Sequence, residues 1–306
     1  MNLNIAKTAL LMAGLTALLA ACGLLLDRFL GTGGLMMIAF TLIGVATNWI
    51  SYFYSDTIVL KMYGAKEVTP AESPQLHQIV DRICARASLP KPKVCIIPID
   101  VPNAFATGRN PKNAAVACTH GILRALTWEE LEGVIAHELG HIRNRDTLIA
   151  TVAASIAGLI GSLAHVAQFG MLFGGHSNSE EGNGNPFALL LMILLAPIMA
   201  MIIQMAISRT REFAADRAAA QLTGNPDALA RALQRLESYA RTYPLGREAE
   251  ATQHLFIINP LTGKDMMHWF STHPSTEDRI KALEKIKQQM YNGGIPTGSS
   301  SHRVAA

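Results

Sequence analysis

The feature that most narrows what this chain can become is its apolar segmentation. Four stretches, Thr8 to Leu26, Leu35 to Phe53, Leu148 to Phe173 and Phe187 to Ile207, are each about as long as a helix must be to cross a bilayer. The first two carry no charge, whereas Ser155, Ser162, His165 and Gln168 interrupt the third and Pro197 and Gln204 the fourth. Small polar residues and a proline are tolerated in spans that pack against other helices, so four spans are expected, with a buried soluble hairpin as the alternative for the last pair. Half of the 306 residues are hydrophobic, which leaves enough chain for one sizeable soluble domain beside the spans.

Lys7, Lys61, Lys66, Arg143, Arg145, Arg209 and Arg211 all fall on one side of a four-span arrangement. The other side holds only Asp27 beside Arg28 and a loop, Gly174 to Pro186, that has Glu180 and Glu181 but no Lys or Arg. The excess of positive charge predicts that both termini and the soluble domain face the cytoplasm. A net charge of +3, with no basic run interleaved with aromatics, argues against a nucleic-acid partner. Cys22, Cys84, Cys95 and Cys118 lack C-x-x-C spacing and are expected to be reduced core residues. Leu19-Ala20-Ala21-Cys22 resembles a lipoprotein cleavage box, but Leu24 to Leu26 continue the apolar run beyond the cysteine, which favours an uncleaved anchor.

Within the soluble part, Thr127 to Asp146 reads TWEELEGVIAHELGHIRNRD. Thr127 and Glu130 fit a capping box, and Leu131, Val134, Ile135, Leu139 and Ile142 recur at helical spacing, so one helix spans the H-E-x-x-H pattern of His137, Glu138 and His141. Residues four apart on a helix lie about 5–6 Å apart at Cβ, so both imidazoles can converge on one metal ion, with zinc the natural choice. Glu138 is suited to take a proton from water rather than to bind the metal. A second helix from Ser208 carries Glu212 and Asp216 four apart on an otherwise apolar face. Buried carboxylates need a cation or strong hydrogen-bond partners. Glu212 is the candidate third ligand and Asp216 the candidate acceptor for a ligand histidine's second N–H, against an alternative of ion pairs with Arg209 and Arg211. Thr147 stands where a third histidine of another zinc-protease pattern would fall, and His120, His165, His176, His254 and His268 lie at unfavourable places. Asp146 reads as a helix-boundary residue with a weak option to support His141.

Elsewhere, Leu76, Ile79, Val80, Ile83 and Cys84 form a helical stripe, and three short strands are expected over Val94 to Ile97, Asn103 to Thr107 and Ala114 to Cys118. Asn103 to Ala106 is the candidate sheet edge for an extended peptide. Asn225-Pro226-Asp227 caps a helix striped by Leu229, Leu233 and Leu236; a last helix follows His273-Pro274-Ser275, and Tyr291 to Ala306 is a Gly- and Ser-rich tail.

H-E-L-G-H at 137–141, S-R-T-R-E-F-A-A-D at 208–216, N-A-F-A-T-G at 103–108, H-P-S at 273–275 and two spans inserted between the metal motifs together resemble the HtpX membrane metalloproteases over nearly the whole chain. The resemblance implies a stress-responsive zinc endopeptidase of the bacterial inner membrane that clears damaged membrane proteins, related to prenyl-protein processing proteases. By position it implies one Zn2+ on His137, His141 and Glu212, with Glu138 as base. It also implies that Asn103, His273 and Arg279 line the cleft, with His273 or Arg279 stabilising an oxyanion. The expected fold is mainly α with a small β-sheet: four transmembrane helices plus a gluzincin-like zinc protease domain. Its expected divisions are 1–53 and 147–207 for the spans, 54–146 and 208–291 for the two parts of the protease domain, and 292–306 for the tail. Expected partners are protein or peptide substrates, membrane proteins among them, and the lipid bilayer. A membrane metal sensor or transporter, or a catalytically idle scaffold, are the rival readings.

Overall fold

The computed structural model describes residues 3–152, 209–242 and 274–293. Two long helices, α1 (Leu3–Leu30) and α2 (Leu35–Met62), form an antiparallel hairpin whose tight loop places Gly31, Gly33 and Gly34 at positive φ. The Asp27 carboxylate caps the first turn of α2, accepting from the Thr32 hydroxyl and from the N–H groups of Met36 and Met37 at 3.1 and 3.0 Å. Asn48 ties the pair together by donating to the Met12 carbonyl and to Thr16 Oγ1, both at 2.7 Å. Ala6–Leu25 and Leu35–Met62 are long and apolar enough to cross a membrane. The third expected span runs past residue 152 and the fourth lies wholly within 153–208, outside the described residues.

Helix α2 reaches nine residues beyond the Phe53 boundary expected from its apolar run. At 1.5 Å per residue its length is about 42 Å, more than the roughly 30 Å hydrocarbon core requires. Its last turns form part of the soluble domain. Val59 is fully buried, with Leu60 packed alongside it, and the Tyr63 ring lies tilted against that of Phe105, with centroids 5.4 Å apart.

The domain then runs β1 (Lys66–Glu67), α3 (Pro74–Ala87), β2 (Lys93–Ile97), β3 (Ala104–Asn110), β4 (Asn113–Thr119), α4 (His120–Ala125), α5 (Trp128–Asn144), α6 (Arg209–Thr223), α7 (Pro226–Thr242) and α8 (Thr276–Tyr291). The sheet order is β1-β2-β4-β3, with β2 and β4 parallel and the other two pairs antiparallel. Alternate residues of each strand face opposite ways. Val94, Ala106 and Val116 therefore join the main core with α3 and α5, while Cys95, Phe105 and Ala117 pack against the end of α2. Both faces are covered, which is why β4 is a run of small apolar residues rather than an alternating one. The two-residue β1 has only exposed Lys66 and Glu67 and no apolar signal, so three strands rather than four were predictable.

Candidate metal centre and active site

Helix α5 starts at a capping box: Thr127 N–H donates to Glu130 Oε2 at 2.9 Å and Glu130 N–H to Thr127 Oγ1 at 3.3 Å. Glu130 is itself held by Arg235 of α7 at 2.9 Å. Two turns of helix later α5 presents His137 and His141, their rings nearly perpendicular with centroids 4.7 Å apart and their Nε2 atoms 3.2 Å apart. Helix α6 passes so close that a Cβ added at Gly140 would lie 3.3 Å from Ala215 Cα. That approach brings Glu212 up to the histidines, its oxygens 3.7 Å from His137 Nε2 and 3.5 Å from His141 Nε2.

The other ring nitrogens decide the tautomers. His137 Nδ1 lies 2.9 Å from Asp216 Oδ1 and His141 Nδ1 lies 3.2 Å from Asp146 Oδ2. A carboxylate can only accept, so each Nδ1 carries a proton, and in the neutral imidazole Nε2 then holds the lone pair that a metal would take. His137 Nε2, His141 Nε2 and the Glu212 carboxylate thus crowd one point, where the Glu212 charge favours a cation; the nearest donor is Arg279, whose Nη2 lies 3.5 Å from His137 Nε2. The three residues offer ligand atoms all within 4.8 Å of one another. Nitrogens bound to zinc at about 2.0–2.1 Å in a tetrahedron lie roughly 3.3 Å apart, close to the observed Nε2 separation.

Beneath the histidines the charges are paired. Arg279, from the first turn of α8, is 1% exposed and grips Asp216 with two bonds, Nε to Oδ2 at 2.9 Å and Nη2 to Oδ1 at 2.6 Å. Its Nη1 is also 3.7 Å from Glu212 Oε2. Burial disfavours a charged Asp216, but Arg279 and the His137 hydrogen bond outweigh it and hold the carboxyl below the usual range. Burial likewise opposes protonation of His141. The Asp146 hydrogen bond and the carboxylates of Glu212 and Glu138 overcome that, raising its pKa to about 9. The same negative field that favours a proton there favours a metal cation. Glu138 is buried next to the histidines, and burial pushes its carboxyl up despite their opposing pull. Its Oε2 accepts the Ala106 N–H at 2.8 Å.

The sequence-based candidates therefore divide. His137, His141, Glu138, Glu212 and Asp216 come together. Arg279 comes to the same place from beneath, with its guanidinium committed to Asp216 rather than to an open cleft. Asn103 is buried, its N–H donating to Thr119 Oγ1 and its carbonyl accepting from Thr119 N–H, both at 2.9 Å. His273 lies outside the described residues. Asp146 is the residue the helical spacing undervalued: Arg145, at φ 59°, turns the chain left-handed past the end of α5 and folds the Asp146 side chain back onto His141.

The sequence profile of "Peptidase family M48" matches residues 70–287. Curated relatives match almost end to end. A "Protease HtpX homolog" of Pyrococcus furiosus is 51% identical over 93% of this chain and 96% of the relative. Proteins of the same description from Aquifex aeolicus and Salinibacter ruber are each 52% identical, over 85% and 93% of this chain and 86% and 98% of theirs. Among solved structures, S. mikatae Ste24p superposes with a TM-score of 0.48 at 18% identity, over 92% of this chain and 65% of that one.

Proposed function

The chain belongs to peptidase family M48 and is a metalloendopeptidase; from that premise we propose that it is a zinc enzyme of the bacterial inner membrane that cleaves misfolded or damaged membrane proteins on the cytoplasmic side. The convergence of the His137 and His141 lone pairs with the Glu212 carboxylate is the observation that carries the metal assignment. When bound to those three residues, zinc supplies a Lewis acid that polarises a peptide carbonyl and lowers the pKa of water.

The chain's own groups do the rest. Asp216 and Asp146 lock both imidazoles in the tautomer that points Nε2 inward. Ala106 N–H fixes one oxygen of Glu138 and leaves Oε1 to take the proton of the attacking water and return it to the leaving amide nitrogen. The raised proton affinity of this buried carboxyl suits a group that must hold that proton between the two steps.

Strand β3 is the natural place for substrate backbone. It is the outer strand of the sheet, and the Ala106 N–H turns to Glu138 instead of β4, so the unpaired edge at Ala104 and Ala106, both buried, lies on the Glu138 side. An extended peptide can add to that edge, so main chain rather than particular side chains would be held, as a quality-control protease needs. His273 and Asn103 remain proposed cleft residues on the resemblance alone. Arg279 is better assigned to positioning Asp216.

The assignment predicts that chelator-treated protein in detergent loses cleavage of an unfolded polypeptide such as casein, and that stoichiometric zinc restores it. Full cleavage by protein shown to be metal-free would contradict it.

A further inference from the structure

Away from the histidines, the β3–β4 hairpin ends in a basic turn whose height on α2 can be fixed. Helix α2 exposes Leu35, Ile38, Leu42 and Val45 along its length. Phe53 stands about 27 Å along the helix from Leu35, close to the roughly 30 Å of a hydrocarbon core. Around it Trp49, Tyr52 and Tyr54 are exposed as well, and the Trp49 and Phe53 rings lie 5.1 Å apart. Clustered exposed aromatics at that depth mark a membrane–water boundary. Arg109 of β3 sets its guanidinium 5.2 Å from the centre of the Phe53 ring.

Lys112 is exposed in the same turn, which Asn110 closes by accepting from Asn113 N–H at 3.0 Å and from its side-chain amide at 2.9 Å. A second contact sets the level independently. Thr147 Oγ1 donates to the Gly108 carbonyl at 2.9 Å, so the chain that leaves α5 through exposed Arg143 and Arg145 meets the hairpin just where it enters its own apolar run.

We propose that the β3–β4 turn rests on the bilayer surface and that Arg109 and Lys112 bind the phosphates of anionic lipid headgroups. The proposal rests on the membrane anchoring proposed above. Phe53 covers one face of the Arg109 guanidinium, which leaves the edge N–H groups for a phosphate, and a planar fork suits two phosphate oxygens. Basic side chains at headgroup depth attract anionic lipid. Gly108 is two residues, about 7 Å of strand, from Ala106, whose N–H holds Glu138. The strand beside the active site therefore ends at the lipid surface, and segments emerging from the bilayer lie nearest to it.

The test uses the full chain in vesicles of equal parts phosphatidylglycerol and phosphatidylcholine. All four native cysteines are buried, so a fluorophore can be placed selectively through Asn113→Cys or, as a control in α2, Leu42→Cys. Headgroup-labelled quencher lipids should remove more than half of the fluorescence at position 113, and mid-chain quenchers more than half at position 42. Arg109→Gln combined with Lys112→Gln should bring the phosphatidylglycerol that co-purifies with the protein down to its bulk share. Quenching at 42 without quenching at 113 would overturn the docked turn and leave the anchor; quenching at neither would overturn both. An unchanged lipid preference in the double substitution would overturn the assignment of Arg109 and Lys112.

Discussion

His137 answers to two demands at once: its Nε2 must stay bare toward the metal point while its Nδ1 must keep a proton in a buried place. Asp216 meets the second demand, and Arg279 makes a fully buried Asp216 tolerable by neutralising it with a two-pronged pair. Asp216→Asn keeps the shape but removes the charge, and its amide turns donors toward Arg279. Supporting carboxylates of this kind are worth about 10–100-fold in metal affinity, so zinc affinity measured by competition with a chromophoric chelator should fall by that factor. Wild-type affinity in Asp216→Asn would show that the His137 contact does not orient the ring. That His137 and His141 come together was legible because i, i+4 spacing on one helix translates directly into proximity, and Glu212 was a candidate only as a carboxylate on an otherwise apolar helix face. Asp146 was not legible, since five residues after His141 is the wrong face of a continuous helix; only the left-handed Arg145 makes it the right one. Arg279 carried no spacing signal either, because its partner is distant in sequence and the pairing exists only once α8 packs on α6 and α7.

At the scale of elements, the site is the seam between α5 and α6, and small residues set its width. A Cβ at Gly140 would meet Ala218 Cβ at 3.2 Å and Ala215 Cα at 3.3 Å; at Gly133, on the side that faces α7, it would meet the Leu229 backbone at 3.0 Å. Gly140→Leu should push α6 outward, cost about 1–3 kcal/mol of stability by overpacking, and draw Glu212 away from both histidines. Thermal unfolding and zinc affinity of the same variant should therefore fall together. A variant that loses stability but binds zinc normally would mean that Glu212 is not held by this packing. Helix α5 was predictable from its capping box and stripe, and β2 to β4 from their apolar runs. The full reach of α2 was not, because Ser55, Asp56 and Thr57 end the apolar run on which a span is recognised, while the helix continues into the soluble core.

The molecule as a whole joins a hairpin long and apolar enough to cross a membrane to a metallopeptidase domain through one continuous helix, so that the edge strand and the catalytic helix keep a fixed relation to that hairpin. The mainly helical fold with a small mixed sheet follows the expectation from sequence; the third expected span is described only to Val152, and the fourth lies outside the described residues. Hydrolysis, rather than the mere holding of a metal, separates the enzyme from a sensor, a transporter or an idle scaffold. Glu138 separates them because its Oε2 is tied to Ala106 and the three converging ligand atoms come from other residues. Glu138→Gln nearly conserves volume and removes the basic oxygen. Zinc content and polypeptide cleavage should be measured on one preparation of that variant in detergent: about one zinc per chain should remain, while cleavage falls by at least the roughly 100-fold to 10,000-fold expected for loss of a general base. Cleavage at the wild-type rate with zinc retained would contradict the account.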